Sequence, residues 1–292
     1  MDRIRQYIVG GLTYRVHFTG KQDNESLLLS SNVFAVEPNN HPSLFDLTVD
    51  DNFCLEDRGK EIGVFNNDAA CYRFLQTENN DYQIAIADTD HNPCGLMQTN
   101  STFSHSRISL SGHPGMRRFG LNNALMMMYA FASADKGTLL MHSSVVCNSK
   151  KGFLFLGKSG TGKSTHSQLW MKHIQGTELL NDDNPVVRVM GKEIRVYGSP
   201  WSGKTDCYRN EHATVGAFLQ LQQAPYNHIR RQTTIETFTS LLSSSSVMKW
   251  DKRVYGGVCD SIKHIMERVP GFILQCCPDK EAALLSHKTI AG

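Results

Sequence analysis

The sequence of 292 residues lacks any run of 18 apolar residues, so it predicts no ordinary transmembrane helix. Residues 1–6 also lack the long apolar core of a signal peptide. Lysine and arginine together number 30 against 28 acidic residues, so no excess of positive charge favours nucleic acid or an anionic membrane as a partner. We therefore expect a cytoplasmic protein that binds neither nucleic acid nor membrane.

The eight cysteines form no C-x-x-C pair, and the spacing of histidines and cysteines fits no common zinc-finger pattern. Without an export signal, we expect reduced thiols rather than a disulfide framework. Apolar residues make up 40% of the chain and charged residues 20%, which excludes a disordered or fibrous protein. A chain of this length predicts one large domain or two smaller ones with a sizeable buried core.

The amino-terminal part consists of short apolar runs separated by turn residues, which favours an antiparallel sheet or a small barrel. Strands are predicted there at 27–30 and 33–36, among others. Apolar residues then recur at helical spacing. We therefore predict a β-rich domain over 1–115, a connecting helix over 116–134 and a second domain over 135–292.

The second domain mixes strand and helix patterns. Strands are predicted over 138–147 and 152–156, and a helix over 261–269. Thr233, with a glutamate three residues later, predicts a capping box that opens another helix. Gly191-Lys192 predicts a hairpin where a simple doubly wound domain would have a crossover helix, so we expect a mixed sheet with antiparallel pairs.

The segment 157–164, GKSGTGKS, matches the P-loop (Walker A) pattern G-x-x-x-x-G-K-[ST] at every fixed position. An apolar run precedes it and a predicted helix follows it, which is the context that such a loop needs. Glycines let successive N–H groups converge on phosphate oxygens, and the helix adds the positive end of its dipole. Lys163 is expected to reach the β- and γ-phosphates, and Ser164 to ligate Mg²⁺. The predicted nucleotide-binding residues here are Gly157, Ser159, Gly160, Thr161, Gly162, Lys163, Ser164 and Thr165.

Two further features accompany the loop. The aspartates Asp182 and Asp183 end an apolar run 19 residues after Lys163, where a carboxylate completes the Mg²⁺ shell and a second one can accept a proton from an attacking hydroxyl. This interpretation competes with a solvated turn. In the segment 198–205, Lys204 is predicted to approach phosphate and Trp201 to stack on a base or close the pocket. The alternative there is a turn with a solvated lysine.

Taken in order, His142, the segment 157–164 and the pair Asp182-Asp183 resemble the catalytic domain of the HPr kinase/phosphorylase family. The resemblance covers roughly residues 135–290. It implies an α/β domain with a mixed sheet, similar to phosphoenolpyruvate carboxykinase, behind the β-rich amino-terminal domain. It also implies a kinase that uses ATP and Mg²⁺ to phosphorylate a serine of a protein, a peptide or a free amino acid. Homo-oligomers are a further expectation, because the family often assembles.

The resemblance implies a role for each site residue. Asp182 would be the general base, Asp183 and Ser164 metal ligands, Lys163 the phosphate clamp, and His142 a neighbour of the transferred phosphoryl group. HPr kinase carries a Leu-Glu-x-Arg-Gly segment that is missing here, which argues against HPr as the substrate and for relatives outside the sugar-transport system. Two alternatives stay open: a nucleotide-binding regulatory or scaffold module without phosphoryl transfer, and a carboxykinase acting on a small carboxylate.

Overall fold

The chain forms two compact units, over 1–132 and 133–292, each built around a large mixed sheet, so the protein is of the α/β class. The structure, a computed structural model, describes residues 3–20, 22–55, 59–66, 70–203 and 205–291. Within these residues, no helix is both long and apolar enough to cross a bilayer.

In the amino-terminal unit, the described residues form a sheet of nine strands. They are β1 (Arg3–Val9), β2 (Leu12–Phe18), β3 (Ala35–Val36), β4 (Asp46–Val49), β5 (Lys60–Asn66), β6 (Cys71–Gln76), β7 (Tyr82–Ala87), β8 (Pro93–Thr99) and β9 (His105–Leu110). Their order in the sheet is β3-β1-β2-β4-β9-β8-β7-β6-β5. The sheet is not purely antiparallel, because β4 runs parallel to both β2 and β9.

The predicted strands at 27–30 and 33–36 are wrong, except for Ala35 and Val36. Residues Glu25–Phe34 form two short 3-10 segments joined by a kink at Leu28, whose backbone angles are not helical. Leu27 and Leu28 are both buried at the kink, and Ser31 and Phe34 are buried three residues apart after it, which is the period of a 3-10 helix. An apolar run that looked like a strand is therefore a kinked pair of tight helical turns with buried side chains.

Helix α1 (Pro114–Ser133) contacts several strands of this sheet. The Tyr129 hydroxyl donates to the carbonyl of Val9 at 2.9 Å, which ties the helix to β1. Near the start of α1, the buried guanidinium of Arg117 donates to both oxygens of Asp51 at 2.8 Å and to Asn24 at 2.6 Å. The Leu110 carbonyl also accepts from this guanidinium at 2.6 Å, and together these partners compensate for the burial of the charge.

The described residues of the carboxy-terminal unit form nine strands and four helices. The strands are β10 (Thr138–Leu140), β11 (Ser143–Asn148), β12 (Lys151–Leu156), β13 (Glu178–Asp183), β14 (Val186–Met190), β15 (Glu193–Tyr197), β16 (His212–Gln223), β17 (His228–Arg231) and β18 (Gly271–Cys276). The helices are α2 (Lys163–His173), α3 (Thr234–Ser244), α4 (Lys252–Met266) and α5 (Lys280–Ile290).

The sheet of this unit runs β10-β14-β15-β16-β12-β11-β13, with β18 pairing to β16 and β17 to β18. Strands β12 and β18 are parallel to β16, whereas the other pairs are antiparallel, so the predicted mixed sheet is confirmed. The predicted hairpin is present as β14–β15, and the capping box at Thr233 is present at the start of α3.

A compact apolar cluster joins α2 to the centre of this sheet. Trp170 of α2 packs against Phe153 and Phe155 of β12. The indole nitrogen of Trp170 donates to the hydroxyl of Ser286 on α5 at 2.9 Å, and the ring of His166 lies 3.2 Å from the same hydroxyl. This cluster fixes the helix that follows the predicted phosphate loop.

In this unit, the extents of one predicted strand and one predicted helix differ clearly from the structure. The predicted strand over 138–147 is interrupted at Met141 and His142, which separates β10 from β11. The backbone at this interruption is held by the end of α3, because the His142 amide donates to the carbonyl of Ser244 at 2.6 Å. Helix α4 begins at Lys252, nine residues before the predicted start.

Candidate active site

The strand register brings three predicted site segments to one end of the sheet. Strand β11 is antiparallel to both β12 and β13, so Ser143 lies opposite Leu156 on one side and Asp183 on the other. The start of β11 therefore adjoins the ends of β12 and β13. It follows that His142, the loop after Leu156 and the aspartate pair meet at the same end.

The loop 157–162 connects β12 to α2 without an intervening element. Its glycines have φ angles of 151° at Gly157, 76° at Gly160 and 106° at Gly162, which L side chains rarely adopt. A Cβ atom at Gly160 or Gly162 would meet no atom within 4 Å. Glycine is thus required by the backbone conformation, and the space beside it is open to a ligand.

The side chain of Lys163 is buried and turns back into the loop. Its Nζ donates to the carbonyls of Gly157 at 3.0 Å and Lys158 at 3.3 Å, and lies 2.9 Å from Nε2 of His142. Burial lowers the pKa of Lys163, and the charges of Asp183 and Asp182 oppose that shift. An ammonium group held inside an amide-lined loop can neutralise an incoming phosphate.

His142 links this lysine to the aspartate pair. Its Nδ1 lies 2.8 Å from Oδ1 of Asp183, while its Nε2 faces Lys163. Because Lys163 can only donate, the contacts fit a neutral histidine that accepts at Nε2 and donates from Nδ1 to the carboxylate. The result is a chain of hydrogen bonds from Lys163 through His142 to Asp183.

Asp183 is held in an unusual backbone conformation, with a φ of 133°. Asn184 donates to its second carboxylate oxygen at 2.8 Å. A non-glycine residue stays at such an angle only where the surrounding structure enforces it. Residues of this kind cluster at functional sites. Here an isolated β-bridge to Ser202 holds the backbone on the other side.

Asp182 has a different environment. It is only 4% exposed, and its Oδ1 accepts a hydrogen bond of 2.9 Å from the hydroxyl of Ser164 at the start of α2. Its backbone carbonyl accepts from the Gly203 amide at 2.6 Å and from the Ser202 hydroxyl at 3.0 Å. The two adjacent aspartates thus face different partners.

Sequence reasoning missed two residues that support this pair. The Ser199 hydroxyl donates to the carbonyl of Asn184 at 2.6 Å, and the Asn184 amide donates to the side-chain oxygen of Asn181 at 3.0 Å. Asn181 in turn donates to Ser199 at 3.3 Å. These buried groups close the turn around the aspartates. Asn181 directly precedes the pair and Ser199 lies in the segment already singled out, which was the available signal.

The remaining predicted residues differ in exposure. Ser159 and Thr165 are exposed, and the hydroxyl of Thr161 donates to the carbonyl of Lys158 at 2.6 Å. Trp201 is only 5% exposed and packs inside the unit, so its ring is not presented to a nucleotide base in this conformation. Lys204 lies outside the described residues.

The oxygen atoms at this end suit Mg²⁺. No cluster of three or more His, Cys, Asp or Glu side chains that could hold a metal occurs in the described part of the chain. Mg²⁺ needs no such cluster, because it is bound through one or two carboxylates, waters and substrate phosphates. The Ser164 hydroxyl and the neighbouring carboxylates are donors of that kind.

Comparisons with known proteins give little beyond this geometry. No protein-family model matches the sequence, and no curated protein is significantly similar to it. A solved structure, the HPr(Ser) kinase/phosphatase from Coxiella burnetii, is similar with a TM-score of 0.30 and 15% sequence identity, over 51% of this chain and 96% of that chain. This is a distant structural resemblance, and it carries no statement on family or activity.

Proposed function

We propose that the carboxy-terminal unit is a P-loop kinase that transfers the γ-phosphoryl group of ATP, in the presence of Mg²⁺, to a serine hydroxyl of a protein, a peptide or a free amino acid. The observation that carries the proposal is the meeting of the loop 157–162, the chain from Lys163 to Asp183, and the Ser164–Asp182 pair at one end of the sheet. A phosphate-binding loop beside two carboxylates meets the needs of phosphoryl transfer, which depends mainly on positioning and charge neutralisation.

The chain's own residues divide this work. The open amides of the loop bind the phosphates, and Lys163 neutralises their charge. Ser164 and a carboxylate would hold the metal ion. The bound nucleotide supplies the phosphoryl group, and Mg²⁺ supplies positive charge at its oxygens. A carboxylate held at a fixed orientation then accepts the proton of the attacking hydroxyl.

The contacts favour a division of the aspartates opposite to the one predicted from the sequence. Asp182 is buried and bonded to Ser164, so it belongs on the metal side. The side chain of Asp183 is 34% exposed and its orientation is fixed by Nδ1 of His142. A proton acceptor must be reached by substrate, so we assign this role to Asp183, with His142 as its positioning residue.

Radiolabelled ATP, Mg²⁺, free serine and a panel of serine-containing peptides test the proposal on the full chain. Lys163→Ala should abolish nucleotide binding. Asp183→Asn should keep MgATP binding and reduce transfer by about 10²- to 10⁴-fold, the usual contribution of a general base. Asp182→Asn should instead weaken the Mg²⁺ dependence of binding. Asp260→Asn, on the exposed side of α4, is the matched control and should behave as wild type.

The outcomes separate the alternatives. Loss of transfer in Asp182→Asn with unchanged Mg²⁺-dependent binding would restore the assignment made from the sequence. Tight nucleotide binding with no transfer to any hydroxyl across the panel would contradict the kinase proposal and favour a regulatory or scaffold module.

A further inference from the structure

Strand β16 extends past the strand that leads into the phosphate loop. Leu156, the last residue of β12, pairs with Gln220, so β16 continues for three more residues beside the loop. At a rise of about 3.3 Å per residue, this extension is about 10 Å long. Its last side chain, Gln223, donates from Nε2 to the carbonyl of Gly160 at 3.2 Å. The end of β16 therefore lies beside the tip of the loop and contacts it through Gln223.

The turn after β16 is fixed by hydrogen bonds on both sides. The Ala224 amide donates to the carbonyl of Cys276 at 3.2 Å, and the Cys277 amide donates to the side-chain oxygen of Asn227 at 2.9 Å. Asn227 also donates to Asp279, the capping residue of α5, at 3.0 Å. These hydrogen bonds fix the backbone of the turn that carries Tyr226.

That side chain is Tyr226, which is 54% exposed. Among the described aromatic side chains of the carboxy-terminal unit, it alone is exposed. Trp201, the aromatic residue that the sequence favours for contact with a base, is packed inside the unit. Tyr226 follows Gln223, the residue that contacts the loop, by three positions, which makes its ring the candidate aromatic surface for a nucleotide in the loop.

We infer that Gln223 and Tyr226 form the nucleoside subsite of the phosphate loop. Tyr226 stacks on the base, and Gln223 is a positioning residue that holds the tip of the loop at Gly160. The inference rests on the proposed function, since it requires a nucleotide in the loop. Because every base offers a π-face, stacking on one tyrosine does not distinguish adenine from guanine, so ATP and GTP should bind with similar affinity.

Calorimetric titration of the full chain with MgATP and with magnesium tripolyphosphate separates the two parts of the site. Tyr226→Ala should weaken ATP binding by about 5- to 150-fold, the range of a lost base–aromatic stack, and leave tripolyphosphate binding unchanged. Tyr226→Phe keeps the ring and should bind both ligands as wild type does. Gln223→Ala should weaken both ligands by a few-fold, because one hydrogen bond to the loop is lost.

Gln222→Ala is the matched control, since Gln222 is the exposed neighbour whose side chain lies on the opposite face of the strand, and it should change neither affinity. The inference is overturned if Tyr226→Ala leaves ATP binding intact or weakens both ligands equally. If wild type binds ATP no more tightly than tripolyphosphate, the inference is also overturned, although the loop remains a phosphate-binding site. If wild type binds neither ligand, the proposed function itself fails.

Discussion

The buried histidine of α2 makes the carboxy-terminal unit sensitive to mild acid. His166 lies three residues after Lys163, with its ring against Phe155 and its Nε2 at 3.2 Å from the hydroxyl of Ser286. Burial lowers the pKa of this histidine from 6.5 to about 4, an effect that the charge of Asp279 only partly opposes. The folded unit therefore strongly prefers the neutral ring.

The sign and size of the effect follow from proton linkage. The unfolded chain binds a proton at His166 near pH 6.5, whereas the folded unit does so only near pH 4. Between these values the unfolded state carries more protons, so the free energy of unfolding decreases as the pH falls. These two pKa values predict that the free energy of unfolding decreases by about 2 kcal/mol between pH 7 and pH 5.

Urea unfolding of the full chain at pH 7 and pH 5, followed by tryptophan fluorescence, measures this loss. All three tryptophans, Trp170, Trp201 and Trp250, belong to the carboxy-terminal unit, so the signal reports that unit. His166→Gln should reduce the difference between the two pH values by about 2 kcal/mol, whatever it does to stability at pH 7. His228→Gln, at an exposed position, should retain it. Equal losses in wild type and His166→Gln would refute the reasoning.

Three further predictions concern two glycines of α4, a buried hydrogen bond and an ion pair. Gly256→Ala should stabilise α4 by up to about 1 kcal/mol, because its Cβ meets no atom within 4 Å. Gly257→Ala should destabilise the unit by about 1–3 kcal/mol, because its Cβ would lie 2.5 Å from a backbone oxygen. Urea unfolding measures both changes in the free energy of unfolding. Ser286→Ala should cost about 1–3 kcal/mol in the same assay, since it leaves a buried indole N–H without its acceptor. Arg117→Ala should destabilise the amino-terminal unit by about 3–5 kcal/mol, read by hydrogen exchange in that unit, because Asp51 would lose its buried partner.

The sequence predicts the loop between β12 and α2 better than it predicts the elements around it. The spacing 157–164 followed by a helix is a local pattern, and the structure has β12 and α2 on either side of that loop. The break at Met141–His142 has no local signal, because it depends on pairing with Ser245, about a hundred residues away. That break places His142 between Lys163 and the aspartates, so its exact contacts could not be predicted.

The start of helix α4 is a second boundary that the sequence does not predict. Gly256 and Gly257 lower the helix propensity of its first half, which is why the sequence predicts a later start. In the structure, Gly257 is needed because the backbone of Ala134 passes too close for a Cβ. Similarly, Asp182 and Asp183 are recognisable as a pair in the sequence, but only the fold assigns one to Ser164 and the other to His142.

The φ of 133° at Asp183 has a consequence for the evolution of this protein. A residue kept at such an angle costs the fold on the order of 1–3 kcal/mol. Glycine would relieve that cost and delete the carboxylate at the same time. A laboratory screen that rewards heat resistance alone should therefore enrich glycine at this position, whereas a screen that also demands the proposed phosphoryl transfer should keep aspartate there.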